Sequence, residues 1–371
     1  MNLNDLPTPT LILDRQRVRA NTDEMRARIH AHGVALRPHA KTAKSVDVAR
    51  MAVGDNGNAL AVSTLREADY FLSQGFTDLV YAVCITPDKL DVAAALADRG
   101  AELKIITDNP AVAGAISSHA GAHRVLIEID CGEHRTGVAA DSPDLTKLAA
   151  AVERSGRSRI LGVLTHAGHS YATRTPDAVA AVAEAERVAA VTAGHKLRDA
   201  GFETPIISVG STPTATHGVT FDGVTEVRPG VYVFQDMFQA GIGSCSTDAL
   251  ALSVLASVIA SHRDRGTVML DAGGLALSKD RSTAGSKFDA GFGQIADLSG
   301  QLFPGLRVNG VHQEHGEVLV EDPELFATLA VGTKVRIFPN HACMTAAAYE
   351  VYNVVDGGVE VVDQWMRCNG W

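Results

Sequence analysis

Apolar residues recur with two different rhythms along this chain, and the change of rhythm divides it. From about residue 17 to about residue 243, short apolar runs alternate with helical spacings. Val18, Met25 and Ile29 fall on one side of a helix predicted over 17–32. A strand follows at Ala35–His39, then a helix over 45–53, a strand over 59–63 and a helix over 65–73. Further strands are read at 78–84, 102–107, 124–130, 160–165, 205–209 and 226–228, with helices between most of them, the clearest over 177–200. Continuous apolar triplets such as Val125-Leu126-Ile127 suit a parallel sheet covered on both faces. Counting from Ala35 gives eight strands in this alternation, the pattern of a TIM-type (β/α)8 barrel. An open doubly wound α/β sheet has the same alternation and stays as the rival.

After about Gly243 the texture changes. Strands are read at 250–260, 267–271, 316–320, 334–338 and 359–362 without long helices between them. The expected layout is therefore a barrel over 15–245 and a β-rich domain made of 1–14 and 246–371. The early strand Thr10-Leu11-Ile12-Leu13 could join either part.

Composition narrows the function. A length of 371 residues suits two domains, and 46% hydrophobic with 20% charged residues is ordinary globular usage. A net charge of −10 argues against a general nucleic-acid binder, yet leaves room for an anionic ligand held by local backbone amides. No basic-then-apolar leader opens the sequence, and no apolar run approaches about 18 residues, so no signal peptide or membrane span is read. Five scattered cysteines without a CxxC pair fit a reduced, cytoplasmic protein.

TIM barrels place their chemistry at the C-terminal ends of the strands. The first strand ends in Arg37-Pro38-His39-Ala40-Lys41-Thr42, which puts Lys41 at the barrel mouth, where a desolvated amine suits imine formation and proton transfer. The plainer reading is a surface lysine. The seventh strand ends in Gly210-Ser211-Thr212-Pro213-Thr214 and the eighth in Arg228-Pro229-Gly230-Val231-Tyr232, the two places where such barrels often bind phosphate; each segment alone reads as a plain turn. His166 and His169 look like a metal pair, but Gly168 between them breaks any regular geometry. Cofactor packing for His166 and cofactor or substrate contact for Tyr171 stand beside simple loop roles. Arg135 either holds a carboxylate or tunes a cofactor ring, against a structural ion pair with Asp130 or Glu133.

In the second domain, Pro339-Asn340-His341-Ala342-Cys343 follows a strand. On an extended segment His341 and Cys343 face the same side, and imidazole plus thiolate favours zinc over magnesium or manganese. Such pairs also arise by chance, and a lone cysteine is usually core. Glu314 and His315 lie upstream as a supporting or acid-base group.

These segments, with Ser63–Ala68, Arg135-Thr136-Gly137, Asp271-Ala272-Gly273 and Glu314-His315-Gly316, resemble in family order the fold-type III pyridoxal-phosphate (PLP) enzymes of the D-serine dehydratase and D-threonine aldolase group, whose barrel is alanine racemase-like. The resemblance spans nearly the whole chain. It implies Lys41 as the Schiff-base lysine, and Gly210, Ser211, Thr212, Gly230 and Tyr232 around the cofactor phosphate. It further implies His341 and Cys343 as ligands of a divalent metal (Zn2+, with Mn2+ or Mg2+ as alternatives), and a homodimer. His-x-Cys and His166–Tyr171 look dehydratase-like. One departure stands out: Lys41-Thr42-Ala43-Lys44 replaces a common Lys-Thr-His-Lys. If that missing histidine serves the substrate, D-serine itself is not the natural one.

The expected function is a PLP- and metal-dependent D-amino-acid dehydratase turning a D-β-hydroxy amino acid into a 2-oxo acid and ammonia. The first alternative is aldolase cleavage to glycine and an aldehyde. A racemase needs a second base that the sequence does not identify, and a non-catalytic PLP-binding protein would lack the second domain.

Overall fold

The computed structural model describes residues 1–55, 57–285 and 288–371. The chain divides into two compact units, one of Met1–Asp23 with Val231–Asn369 and one of Glu24–Gly230 with Gly370–Trp371. After β1 (Thr10–Asp14), the chain forms β2 (Ala35–Leu36), β3 (Ala59–Val62), β4 (Asp78–Cys84), β5 (Glu102–Thr107), β6 (Arg124–Asp130), the short β7 (Val138–Ala139), β8 (Arg159–Thr165), β9 (Ile206–Val209) and β10 (Glu226–Val227).

From β2 to β10, these strands pair in parallel in the order β2-β10-β9-β8-β6-β5-β4-β3, with β7 beside β6. The two ends of that order meet. His39, just past β2, bridges Ala61 of β3 in parallel, and the Ala61 amide donates to Pro38 O at 2.9 Å. The ring is closed, which excludes the open doubly wound sheet.

Its lumen is layered. Ala61, Val80, Ile106, Leu126 and Leu164 form an apolar tier, one residue from each of five strands. A polar network also runs through the strands. Buried Arg37 pairs with Glu226 and Asp78 at 2.8 Å each, and Lys104 also binds Asp78. Buried ions persist only when paired in this way.

Helices cover the outside. Thr64 caps the helix Leu65–Ser73 by accepting from Glu67 N, and Thr175 caps Pro176–Asp199 with proline in its first turn. The second of these helices buries Val179, Ala183, Glu186, Ala190, Ala193 and Leu197, a stripe at spacings of three and four. The glutamate in that stripe matters below.

The other unit contains β1 and then β11 (Leu252–His262), β12 (Thr267–Leu270), β13 (Gly293–Ala296), β14 (Leu302–Val311), β15 (Gly316–Leu319), β16 (Lys334–Pro339), β17 (Val351–Val355) and β18 (Asp363–Met366). Antiparallel pairs β11-β12-β15-β14-β13-β16 return to β11, making a six-stranded barrel. The early strand β1 joins this unit, antiparallel to β11 and parallel to β17.

The expected strand at 359–362 is absent. Val359 and Val361 are apolar because they pack against the buried Leu3, Leu6, Ile12, Leu255 and Val355 cluster. Their backbone bonds go to Leu3 and Met1 and make only an isolated antiparallel bridge between Asn2 and Glu360. No helix of the described residues is long and apolar enough to cross a membrane, and none of the five cysteines is in a disulfide.

Candidate active site

Lys41 sits two residues beyond His39, at the C-terminal end of the first barrel strand, where the sequence placed it. Its side chain is exposed, so desolvation is not what distinguishes it. Its surroundings are. Burial, together with the charges of Lys41, Arg228 and His166, lowers the pKa of His39 well below the ordinary imidazole range. Burial and then Lys41 bring His166 down to about 3. Two neutral imidazoles therefore flank one amine. The nearby Lys44 is different: its Nζ pairs at 3.1 Å with Glu67, a fully buried carboxylate that also accepts from Ser63 N and Oγ. Lys41 makes no ion pair among the described residues.

The segments after β9 and β10 come together beside it. Gly210 has φ +120°, and a Cβ there would stand 2.8 Å from Val227 and 2.9 Å from Arg228 N, so only glycine fits. Ser211 caps the short helix Thr212–His217, its Oγ accepting from Thr214 N, and that Oγ also lies 3.1 Å from Ser170 Oγ. His166 Nδ1 lies 3.1 Å from Gly210 O. A Cβ on Gly230 would approach His39 at 3.2 Å and Thr42 at 3.4 Å. Hydroxyls at a helix start, beside two glycines that let the strand-end segments pack closely, offer the donors a phosphate ester accepts, so the residues fit PLP.

Beneath this cradle lies a group that sequence reading missed. Glu186, 1% exposed, accepts from Ala167 N at 2.9 Å and Gly210 N at 3.0 Å. One carboxyl oxygen thus ties the residue after His166 to the residue before Ser211. Burial raises its pKa against the pull of those amides. The available signal was a carboxylate on an otherwise apolar helical stripe. Arg228 is equally buried and donates to Ser208 Oγ, Val209 O and Thr165 O, so it braces three strand ends.

Other sequence candidates are placed as follows. Arg135 pairs with Glu133 at 3.4 Å while staying exposed, and Glu133 also accepts from Gly168 N at 3.2 Å. Its charge still reaches His166. Tyr171 lies in the 3-10 turn Gly168–Ala172 and is half-buried. Neither His166 nor His169 belongs to a set of three ligand atoms among the described residues. Among the described residues the one set of three with ligand atoms within 4.8 Å is Cys84, Asp108 and Glu128, at the ends of β4, β5 and β6. There the thiol donates to Glu128 at 2.9 Å, and burial with two carboxylates drives its pKa far up. Tyr232 falls in the β-rich unit, buried in the turn Val231–Val233.

The β-rich unit holds the other pair. His341 ends the approach from β16 and precedes the short helix Ala342–Ala346, so the segment turns where extension was expected. His341 and Cys343 nevertheless meet in a hydrogen bond. Burial lowers the His341 pKa, but Asp280 and then Cys343 outweigh it and lift it to about 11. Asp280 accepts from Nδ1 at 3.0 Å. The backbone between the pair is fixed by buried Asp236, whose two oxygens accept from Gln239 N and Ala342 N. An adjacent imidazole and thiol with anionic surroundings suit a borderline-soft divalent cation, so the residues fit zinc.

Comparisons with known proteins identify the family. Residues 13–237 match the alanine racemase N-terminal domain, and 251–355 match a putative serine dehydratase domain. The chain is 45% identical to D-threo-3-hydroxyaspartate dehydratase of Delftia sp. (strain HT23), covering 99% of this chain and 98% of that one. It is 30% identical to the D-serine dehydratase of Dictyostelium discoideum over 100% and 98%. The solved structure of the Delftia enzyme superposes with a TM-score of 0.94 at 44% identity over the full length of both. D-threonine aldolase from Filomicrobium marinum gives 0.85 at 26% identity, covering 99% of this chain and 97% of that one. The protein therefore belongs to the fold-type III, PLP-dependent D-serine dehydratase family, built on an alanine racemase-type barrel.

Proposed function

We propose that the protein is a D-amino-acid dehydratase that takes a D-β-hydroxy amino acid, D-threo-3-hydroxyaspartate first among the candidates, to a 2-oxo acid and ammonia. The supporting observation is a coincidence of two sites in one chain. An amine with no ion pair among the described residues acts electrostatically on two neutral imidazoles, and an imidazole–thiol pair lies in the second unit. This chain matches a D-threo-3-hydroxyaspartate dehydratase from end to end. Ala43 in the lysine loop fits a substrate other than D-serine.

Lys41 would hold PLP covalently, with Gly210, Ser211, Thr212, Gly230 and Tyr232 around the phosphate. When bound, PLP supplies an electron sink for negative charge at Cα. Lys41 Nζ would take the Cα proton from one face, which would give the D-specificity. His39 and His166 stay neutral beside it and add no competing charge. Glu186 and Arg228 hold the strand ends so that the phosphate cradle and His166 keep one spacing. Arg135 would receive a substrate carboxylate in exchange for Glu133, and Tyr171 would contact cofactor or substrate. His341 and Cys343 would hold a divalent ion, zinc by their chemistry, as a Lewis acid for the departing β-hydroxyl. Water leaves across Cα–Cβ and returns when the nitrogen is released, so the net products are the 2-oxo acid and ammonia. We further propose a homodimer acting in the cytoplasm.

A panel of D-threo-3-hydroxyaspartate, D-serine and D-threonine, with and without chelator, tests the reading. Ammonia with a keto acid, lost on chelation, is expected. Glycine with an aldehyde would make the protein an aldolase instead.

A further inference from the structure

We infer that Asp280 is the positioning residue of the His341–Cys343 pair, fixing the imidazole so that Nε2 is its metal-binding atom. This rests on the metal reading above and goes beyond it, because Asp280 lies 61 residues from His341 and no sequence motif joins them.

The carboxylate is itself held. Its Oδ1 accepts from Ser282 N at 2.8 Å and from Ser282 Oγ, while Oδ2 meets His341 Nδ1 at 3.0 Å. A neutral imidazole has one N–H and one lone pair. Donation of Nδ1–H to Asp280 leaves the lone pair on Nε2 and makes that nitrogen the more basic. Asp280 does not act as a third ligand. Among the described residues, Asp280, His341 and Cys343 do not form a group with all ligand atoms within 4.8 Å. Asp236 serves the backbone instead, each of its oxygens accepting one N–H. The division of labour is then clear. Asp236 fixes the main chain between the two ligands, and Asp280 fixes the ring.

The test is metal affinity of the full-length, PLP-loaded protein by competition between zinc and a chromophoric chelator, for wild type, D280A, D280N, H341A and C343A. Cobalt substitution provides a spectrum of the thiolate–metal bond. D280A should weaken zinc binding roughly 10–100-fold. D280N, which keeps the shape and an accepting oxygen but not the charge, should fall between D280A and wild type. The PLP absorbance band should be the same in all five. Unchanged zinc affinity in D280A and D280N would overturn the inference. If H341A and C343A also bind zinc as wild type does, the metal reading itself is wrong, a distinct result. Should D280A not fold, the near-isosteric D280N carries the same readout.

Discussion

Two histidines, one in each unit, show how differently this chain treats the same ring. His166, in the barrel, is pulled down to about 3 by burial, with Lys41 adding to it. His341, in the β-rich unit, is pushed up to about 11 because Asp280 and Cys343 outweigh burial. The barrel mouth carries several cations, Lys41, Arg228 and Arg135, and each of them works against a proton on His166. Around His341 the neighbours are acids instead, and they outweigh burial. Residue type does not set the role; the charge already present does.

The contrast can be broken at four points. The largest effect falls on the amine: Lys41→Ala should lower turnover by roughly a thousandfold or more and leave no cofactor trapped by borohydride at that position in a peptide map. A label elsewhere would undo the barrel half of the comparison. Next, Cys343→Ala should remove bound metal and dehydration while the visible PLP band survives; a lost band would mean the two sites are not separable. Third, Glu186→Ala leaves two buried amides without an acceptor, so denaturation should show a loss of about 2–4 kcal/mol, with weaker PLP retention. The smallest effect concerns pH. The folded His166 pKa lies near 3 and the unfolded value near 6.5, so the folded state holds fewer protons between them. Stability attributable to this ring is therefore lost as pH falls from about 6.5 toward 3. His166→Gln should show a shallower fall in Tm over that window than wild type, and an identical fall would show the ring is not held neutral.

Much of the barrel was legible. Eight strands were countable because a strand buried on both faces reads as an unbroken apolar run, as at Val125–Ile127. Closure was not countable, since it depends on His39 reaching Ala61 across a gap of 22 positions. In the β-rich unit, Val359 and Val361 misled because apolar residues next to a tight turn imitate a strand when they only plug a cluster. Strand β14 carries Pro304 and Gly305, which hid it. The site divides in the same way. Lys41, Gly210, Ser211, His341 and Cys343 stand in short motifs at element ends and could be named. Glu186 and Asp280 act from other parts of the chain on backbone or ring atoms, so no local spacing betrays them.

The Lys44–Glu67 contact has a consequence for which amine attacks the cofactor aldehyde. The loop offers two primary amines within one turn of chain, and attachment at the wrong one would shift the whole ring relative to its phosphate anchor. Glu67 holds Lys44 in an ion pair at 3.1 Å, while Lys41 has none among the described residues. On the proposed reading, freeing Lys44 by Glu67→Gln would let a second amine compete with Lys41 for the aldehyde, and a borohydride-trapped label on Lys44 would show it.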